Sequence, residues 1–414
     1  MKSILIVTSF LPYPVRSGGD QAQYNMIEAL RKNYNIGIIF PFNRDNRKTD
    51  LILLRSLWPE VRLFPFPRRS QYTYLPFFIH KTRKFINKYL LSFRQKSQIN
   101  DILDHTDFLT SKTYMNFIQA AIEEMRPDIL QVEFIQNLNI GGLLPPNMKK
   151  IFVHHEIGFV ITDRTLRNVS LSERQERRKE QKKCTEIFRL NQYDGIITLT
   201  ETDKCILENS GVTPPIFVSP AAVNTREMEF EGWNGEIVFI GGFHHGPNHE
   251  GMDWFLTEIA PCIDWSKYPQ TQLTIIGLGW PSSYEGSFNG LSVHLAGYVD
   301  DLAKQIANSI MIVPLLTGSG MRMKILDAAA MSLPFVTTSV GAEGLEFKDG
   351  ESCLFGDSPE TFTHQLERLL TDRDLRESIA RSAHQVYTEK YNLSSLIGRR
   401  DDIYRKLLTE VGCG

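Results

Sequence analysis

The sequence predicts an α/β protein built from two doubly wound domains, and three observations carry that expectation. The chain is 414 residues long, about twice the content of one ordinary domain. Short apolar runs recur along it, each entering glycines and then a stretch of helical periodicity, the rhythm of parallel strands joined by crossover helices. That rhythm breaks at Pro214-Pro215 and the polar run EMEFEGWNG, and a second series of the same kind begins at Glu236. The break divides the chain into domains of residues 1–215 and 216–392, with a last helical stretch at 393–414.

Composition narrows the class. Hydrophobic residues make up 42% and charged residues 23% of the chain, as in a soluble globular protein. A net charge of −2 gives no overall case for nucleic-acid binding. The cysteines at 184, 205, 262, 353 and 413 are scattered, without a CxxC pair or a metal-ligand spacing. We therefore expect reduced thiols, a cytoplasmic setting and no metal site. The opening MKSILIVTSFLPYP has a short apolar run before Pro12 and Pro14, which reads as a first strand rather than a signal peptide. No stretch reaches the ~18 apolar residues needed to span a membrane.

In the first half, Ile4 to Thr8 is a continuous apolar run, as expected of a central parallel strand. After a proline loop come Gly18-Gly19 and DQAQYNMIEALRKN, in which Ala22, Met26, Ala29 and Leu30 fall at helical spacing and Asp20 is placed to cap. Gly18-Gly19 is either a plain tight turn or a loop facing a ligand at the carboxyl end of the sheet. A strand follows from Ile36 to Phe40. Residues 61–100 then change character, with no Asp or Glu, nine Arg or Lys and nine aromatics, among them Arg68, Arg69, Tyr72, Phe77, Phe78, Lys84 and Phe93. Basic charge on an aromatic background suits an anionic membrane surface, at roughly 1 kcal/mol per basic residue. A surface insertion packed on the core is the alternative. Asp128–Phe134 and Lys150–Val153 read as strands, the second ending in His154-His155-Glu156. Successive side chains on a strand point to opposite faces, so one histidine should be turned away. The other is then a base or a partner for a substrate hydroxyl, or both are structural. Ser172 and Gln175 look like a capping box opening a long charged helix. Asp194–Leu199 is the next strand, with a helix opening at Thr200-Glu201.

In the second half, Ile237–Gly242 is a strand entering glycines, followed by a helix with Met252, Phe255, Leu256 and Ile259 on its apolar face. Leu273–Gly279 and Val293–Leu302 continue the series. The stretch Ile310–Gly344 is the most informative. A buried strand (Met311–Leu316), a glycine turn (Gly318-Ser319-Gly320), a helix and a strand opening at Pro334 form a βαβ unit. A turn at a helix N-terminus favours an anion. Arg322 and Lys324 add charge suited to a diphosphate, and Asp327 can accept hydrogen bonds from ribose hydroxyls. A glycine turn that is only structural is the alternative. The first strand is followed by SFLPYPVRSGGD rather than a GxGxxG, which weighs against a nicotinamide-dependent oxidoreductase.

The segments FIGGFHHGPNHEGMDWF, GYVDDL, VPLLTGSGMRMKILDAAAMSLPFVTTSVGAEGL and DSPETF, in this order across roughly residues 236–390, resemble the retaining glycosyltransferases of the GT-B fold, in particular the large family 4 (group 1 type). The first half matches more loosely. The resemblance implies two Rossmann-like domains facing a central cleft, with residues 393–414 crossing back to the N-terminal domain. It also implies a UDP- or GDP-sugar donor in the C-terminal domain and an acceptor, a glycan or lipid-linked, in the N-terminal one. The setting would be bacterial surface-glycan synthesis, in the cytoplasm or peripheral on the inner face of the membrane.

Carried over residue by residue, Arg322 and Lys324 would bind the diphosphate and stabilise the leaving group, and His155 would lie near the reacting face of the sugar. The donor would be lined by Gly18, Gly19, Gly241, Gly242, Asn248, Gly277, Tyr298, Val299, Gly318, Ser319, Gly320, Met321 and Asp327. Two departures stand out. Ser319 and Asp327 occupy positions where the family often has two glutamates, and the Arg and Lys common after the first strand of the C-terminal domain are replaced by GGFHHGPN. Two fixed cations and a helix N-terminus can stabilise a departing nucleoside diphosphate without a metal. No DxD-like carboxylate pair stands out, so we expect no metal and no other cofactor. A sugar-nucleotide epimerase of the same fold and an inactive nucleotide-sugar-binding partner of another transferase are the remaining alternatives.

Overall fold

The computed structural model describes residues 1–15, 17–42, 44–67, 102–103, 110–145, 147–167, 169–318 and 320–409. Most of the basic, aromatic stretch at 61–100 and Ser319 lie outside the described residues. The chain forms two compact units. One comprises Met1–Arg16, Ile27–Ser219 and Ile397–Gly414; the other comprises Ser17–Met26 and Pro220–Leu396.

Among the described residues, the first unit holds a sheet of seven strands: β1 (Ser3–Val7), β2 (Asn35–Phe42), β3 (Arg62–Pro67), β4 (Ile129–Glu133), β5 (Lys150–His154), β6 (Gly195–Thr198) and β7 (Ile216–Val218). Their order is β3-β2-β1-β4-β5-β6-β7, and each neighbouring pair is parallel. Ile4 faces Ile36 on one side and Ile129 on the other. Central strands covered on both faces lose their whole side-chain surface to the core, which is why β1 and the middle of β5 read as apolar runs. The strand after Pro214-Pro215 is β7, which pairs with β6, and the first unit runs on to Ser219.

The first helix, Gly18–Leu30, begins before the residue expected to cap it. Ser17 takes that role instead. Its hydroxyl accepts the Asp20 N–H and donates to the Asp20 carboxylate, leaving Asp20 in the first turn, where a negative charge suits the helix dipole. Ser172 does open the long charged helix Glu173–Leu190, with its N–H donated to the Gln175 side chain at 2.9 Å.

The second unit has β8 (Glu236–Ile240), β9 (Gln272–Ile276), β10 (Gly286–Phe288), β11 (Leu291–Gly297), β12 (Ile310–Val313), β13 (Phe335–Thr337) and β14 (Leu354–Phe355), in the order β10-β11-β9-β8-β12-β13-β14. Only β10 runs antiparallel, as a hairpin with β11. Asn289-Gly290 makes the two-residue turn with φ of 50° and 95°, the pair of positive angles that a tight hairpin demands. Phe239, Phe255, Phe335 and Phe362 are fully buried around this sheet, each stabilising by roughly 1.5–3 kcal/mol.

Both sheets reverse direction of growth once, between β1 and β4 and between β8 and β12. Open α/β sheets hold ligands beyond the carboxyl ends of the strands at such a reversal. These two places position everything that follows.

Candidate functional site

In the second unit, β8 ends at Ile240 and the chain enters Gly241-Gly242, where backbone meets backbone. The Gly241 N–H donates to Ile276 O at 2.8 Å, and the Phe243 N–H donates to Leu278 O at 3.0 Å. A Cβ on Gly277 would sit 2.4 Å from the Gly241 carbonyl oxygen, and one on Gly241 would sit 2.4 Å from the Asn248 amide. Those glycines are there because two strand ends and one side chain share the space. The helix Gly246–Trp254 follows. Asn248 is buried on its first turn, and its amide donates to Gly242 O at 2.9 Å.

The loop after β12 reaches the same place. Gly318 and Gly320 have φ of 115° and 74°, a region that favours glycine, and they turn the chain into helix Met323–Ala330. A Cβ on Gly318 would lie 3.1 Å from the Arg322 guanidinium. Arg322 is buried, and its guanidinium donates to Gly320 O. The side chain thus braces the loop that precedes it. Lys324 as a residue is only half-buried, but its ammonium is packed inside. It donates to the Asn248 side-chain oxygen at 2.8 Å and stands 4.2 Å from the centroid of the Phe239 ring. Burial, reinforced by the positive charge of Arg322, lowers its pKa to about 7. His245, at the start of the Gly246–Trp254 helix, is likewise pushed down, first by burial and then by Lys324 and Arg322.

Asp327 lies about one turn beyond Lys324 on helix Met323–Ala330 and is buried. Its carboxylate accepts from the Thr225 hydroxyl at 2.6 Å and from the Gln21 amide at 2.8 Å. Burial lifts its pKa to about 6 against those two hydrogen bonds. Gln21 belongs to the helix that opens with Gly18-Gly19, and a Cβ on Gly18 would meet the Met323 side chain at 3.1 Å. The segment Ser17–Met26 belongs to the second unit and sets Gly18 against its Met323–Ala330 helix. Met321 accepts the Ala221 N–H through its sulfur at 3.2 Å. Tyr298 is exposed beyond β11, while Val299 packs against the core.

His155 is in the first unit, beyond the end of β5. Its Nε2 lies 3.1 Å from the buried Glu133 carboxylate, and its ring stacks on Phe134 at 4.1 Å between centroids and 8° between planes. Phe134 has φ of 66°, a strained angle for an aromatic residue. His154 points the other way, as alternation along a strand requires. It is buried against Glu186 at 3.0 Å, and Glu186 also accepts the N–H groups of Gly158 and Phe159 at 3.0 Å each. His154 is thereby tied to the start of helix Gly158–Thr165, a structural task.

Reading the sequence did not single out Glu133, Gln21, Thr225, Phe239 or Gly251. One signal was available. Gln131 and Glu133 interrupt the apolar run of a central strand, where a polar side chain is buried only with a partner. Gly251 had another: a Cβ there would lie 2.3 Å from Pro314 O, so the helix after β8 can lie against the end of β12 only with glycine at that position.

Residues 234–372 match the family described as "Glycosyl transferases group 1". A Klebsiella pneumoniae protein, described as an uncharacterized 44.6 kDa protein in the cps region, is 24% identical over 209 residues, 48% of this chain. The match spans about half the length of that relative (53%). Among solved structures, sucrose-phosphate synthase from Thermosynechococcus elongatus is similar over 99% of this chain and 100% of its own, with a TM-score of 0.69 and 13% identity. A mutant of S. aureus TarM, in complex with fondaparinux, α-GlcNAc-glycerol and UDP, is similar over 98% of this chain and 100% of its own, with a TM-score of 0.66 and 11% identity. At those identities the likeness is one of fold. Residues 234–372 are a glycosyl transferase group 1 domain, carried by a chain with the GT-B fold of two Rossmann-like units.

Proposed function

We propose that the protein is a glycosyltransferase that moves a sugar from a nucleoside-diphosphate sugar to a glycan acceptor. The observation that carries this reading is the pair of cations on one glycine loop. Burial first, and then the positive charge of Arg322, lower the Lys324 pKa to about 7, so that the lysine gives up part of its charge. A diphosphate placed there relieves the repulsion and restores the charge. The same electrostatics serves the chemistry, because cleavage of a glycosyl–phosphate bond leaves growing negative charge on the departing diphosphate. Two fixed cations answer that charge directly, so the reaction proceeds without a metal. Asp327 is the ribose-binding carboxylate in this reading, and His155 is the group beside the reacting sugar.

UDP or GDP is the nucleotide, and the presence of UDP with a glycosylated glycerol in the TarM structure supports the first. The description of the Klebsiella relative by its place in a cps region supports a surface-polysaccharide setting. Retention of configuration and membership of family 4 follow the motif resemblance. The basic, aromatic residues 61–100 would hold the enzyme on an anionic membrane surface beside a lipid-linked acceptor. Among the described residues no helix is long and apolar enough to cross a membrane.

A thermal-shift panel of UDP-, GDP-, ADP- and CMP-sugars tests the donor assignment. A true donor at about 100 times its dissociation constant stabilises by roughly 2.7 kcal/mol. No stabilisation by any member of the panel would remove the basis of this reading.

A further inference from the structure

A buried chain of hydrogen bonds in the first unit runs from the last helix to His155. Tyr404, on helix Leu393–Thr409, lies 2.6 Å from the Gln131 side-chain oxygen. The Gln131 amide nitrogen lies 2.6 Å from Glu133 Oε1, and Glu133 Oε2 lies 3.1 Å from His155 Nε2. Tyr404, Gln131 and Glu133 are 1%, 0% and 1% exposed.

The donors and acceptors in this chain can be ordered from chemistry alone. An ionised carboxylate only accepts, so Glu133 must face the NH2 of Gln131 and an N–H of His155. Gln131 then presents its oxygen to Tyr404, which must donate. The proton of neutral His155 is thereby held on Nε2, leaving Nδ1 as the lone-pair nitrogen. Nδ1 has no partner among the described residues. Gln131 and Glu133 are two apart on β4 and so share one face of the strand. The part of the helix that brings Tyr404 belongs to this unit. Asp401 accepts from the Tyr34 hydroxyl at 2.7 Å, and Ile403 and Leu407 are buried.

We propose that Tyr404 is a positioning residue for His155, acting through Gln131 and Glu133 to present Nδ1 as a hydrogen-bond acceptor toward a sugar hydroxyl. The role of the sugar rests on the transferase reading; the relay itself does not. Removing the Tyr404 hydroxyl takes one donor from the buried Gln131 oxygen, and a fully enclosed amide that loses a hydrogen bond shifts. The Gln131 amide then holds Glu133 less firmly, and Glu133 the His155 ring.

The test is Tyr404→Phe, which keeps the ring packing, read by NMR of protein labelled with ¹⁵N-histidine in the absence of any sugar nucleotide. The native protein should show a His155 proton on Nε2 protected from solvent, and in Tyr404→Phe that proton should exchange at least about tenfold faster. With donor and acceptor present, turnover should fall while donor KM stays within about twofold. The relay is overturned if the native protein carries the proton on Nδ1, which requires no variant to fold, or if Tyr404→Phe leaves the exchange unchanged. Faster exchange without turnover on any donor supports the relay and counts against the transferase reading alone.

Discussion

Lys324 and Asn248 are 76 positions apart in the chain, and the ammonium of one lies 2.8 Å from the side-chain oxygen of the other. The Asn248 amide nitrogen donates to Gly242 O at 2.9 Å, so one amide ties the loop after β8 to the helix after β12. A neutral oxygen and the Phe239 ring hold the ammonium in place, and among the described residues no carboxylate pairs with it.

Lys324→Met should make the protein more stable and weaken donor binding. The folded pKa of Lys324 lies near 7, below its ordinary value of 10.5. Between those values the unfolded chain holds a proton that the folded one does not, so native stability rises with pH across the window. Below about 7 the full penalty of a buried charge is present. Thermal melts should therefore show the variant above the native protein by the widest margin under pH 7, narrowing toward pH 10. A lower melting temperature for the variant at pH 6 would contradict the burial argument.

Binding of a nucleoside diphosphate should take up protons. Near pH 8 Lys324 is mostly neutral, given a pKa of about 7, and a diphosphate beside it favours the charged form. Calorimetry in two buffers of different ionisation enthalpy should report uptake approaching about one proton at pH 8 and little at pH 6. Equal enthalpies in both buffers at pH 8 would show that Lys324 does not meet the ligand.

Asp327→Asn should flatten the acid side of the stability profile. The folded pKa of Asp327 is raised from 3.8 to about 6 by burial. Between those values the folded chain keeps a proton that the unfolded one has lost, so this group lowers stability as pH rises through the window. The asparagine removes that titration while keeping an oxygen for Thr225 and Gln21, which now hydrogen-bond the carboxylate. Melts from pH 4 to 7 should show the variant gaining on the native protein as pH rises, and a constant difference would sink the assignment.

The parallel rhythm, the helix starts and the phosphate-suited loop could be read from the sequence because each depends on neighbours within about 30 residues. Arg322 and Gly320 are two apart, and their contact is local. What escaped was set by long-range closure. Nothing local announces that Gln21 would reach Asp327, 306 positions away, or that Tyr404 would reach Gln131, 273 positions away. The two histidines show the division within one motif. Alternation along β5 separates His154 from His155, but only the fold supplies Glu186 to one and Glu133 to the other.

The central claim is that the Gly318–Lys324 loop is the diphosphate site of a transferase, and turnover of a nucleotide sugar in Arg322→Ala and Lys324→Ala tests it most directly. Each variant should lose about two to three orders of magnitude in kcat, the size typical of removing one fixed electrostatic group from a transition state. Near-native turnover in both would contradict it.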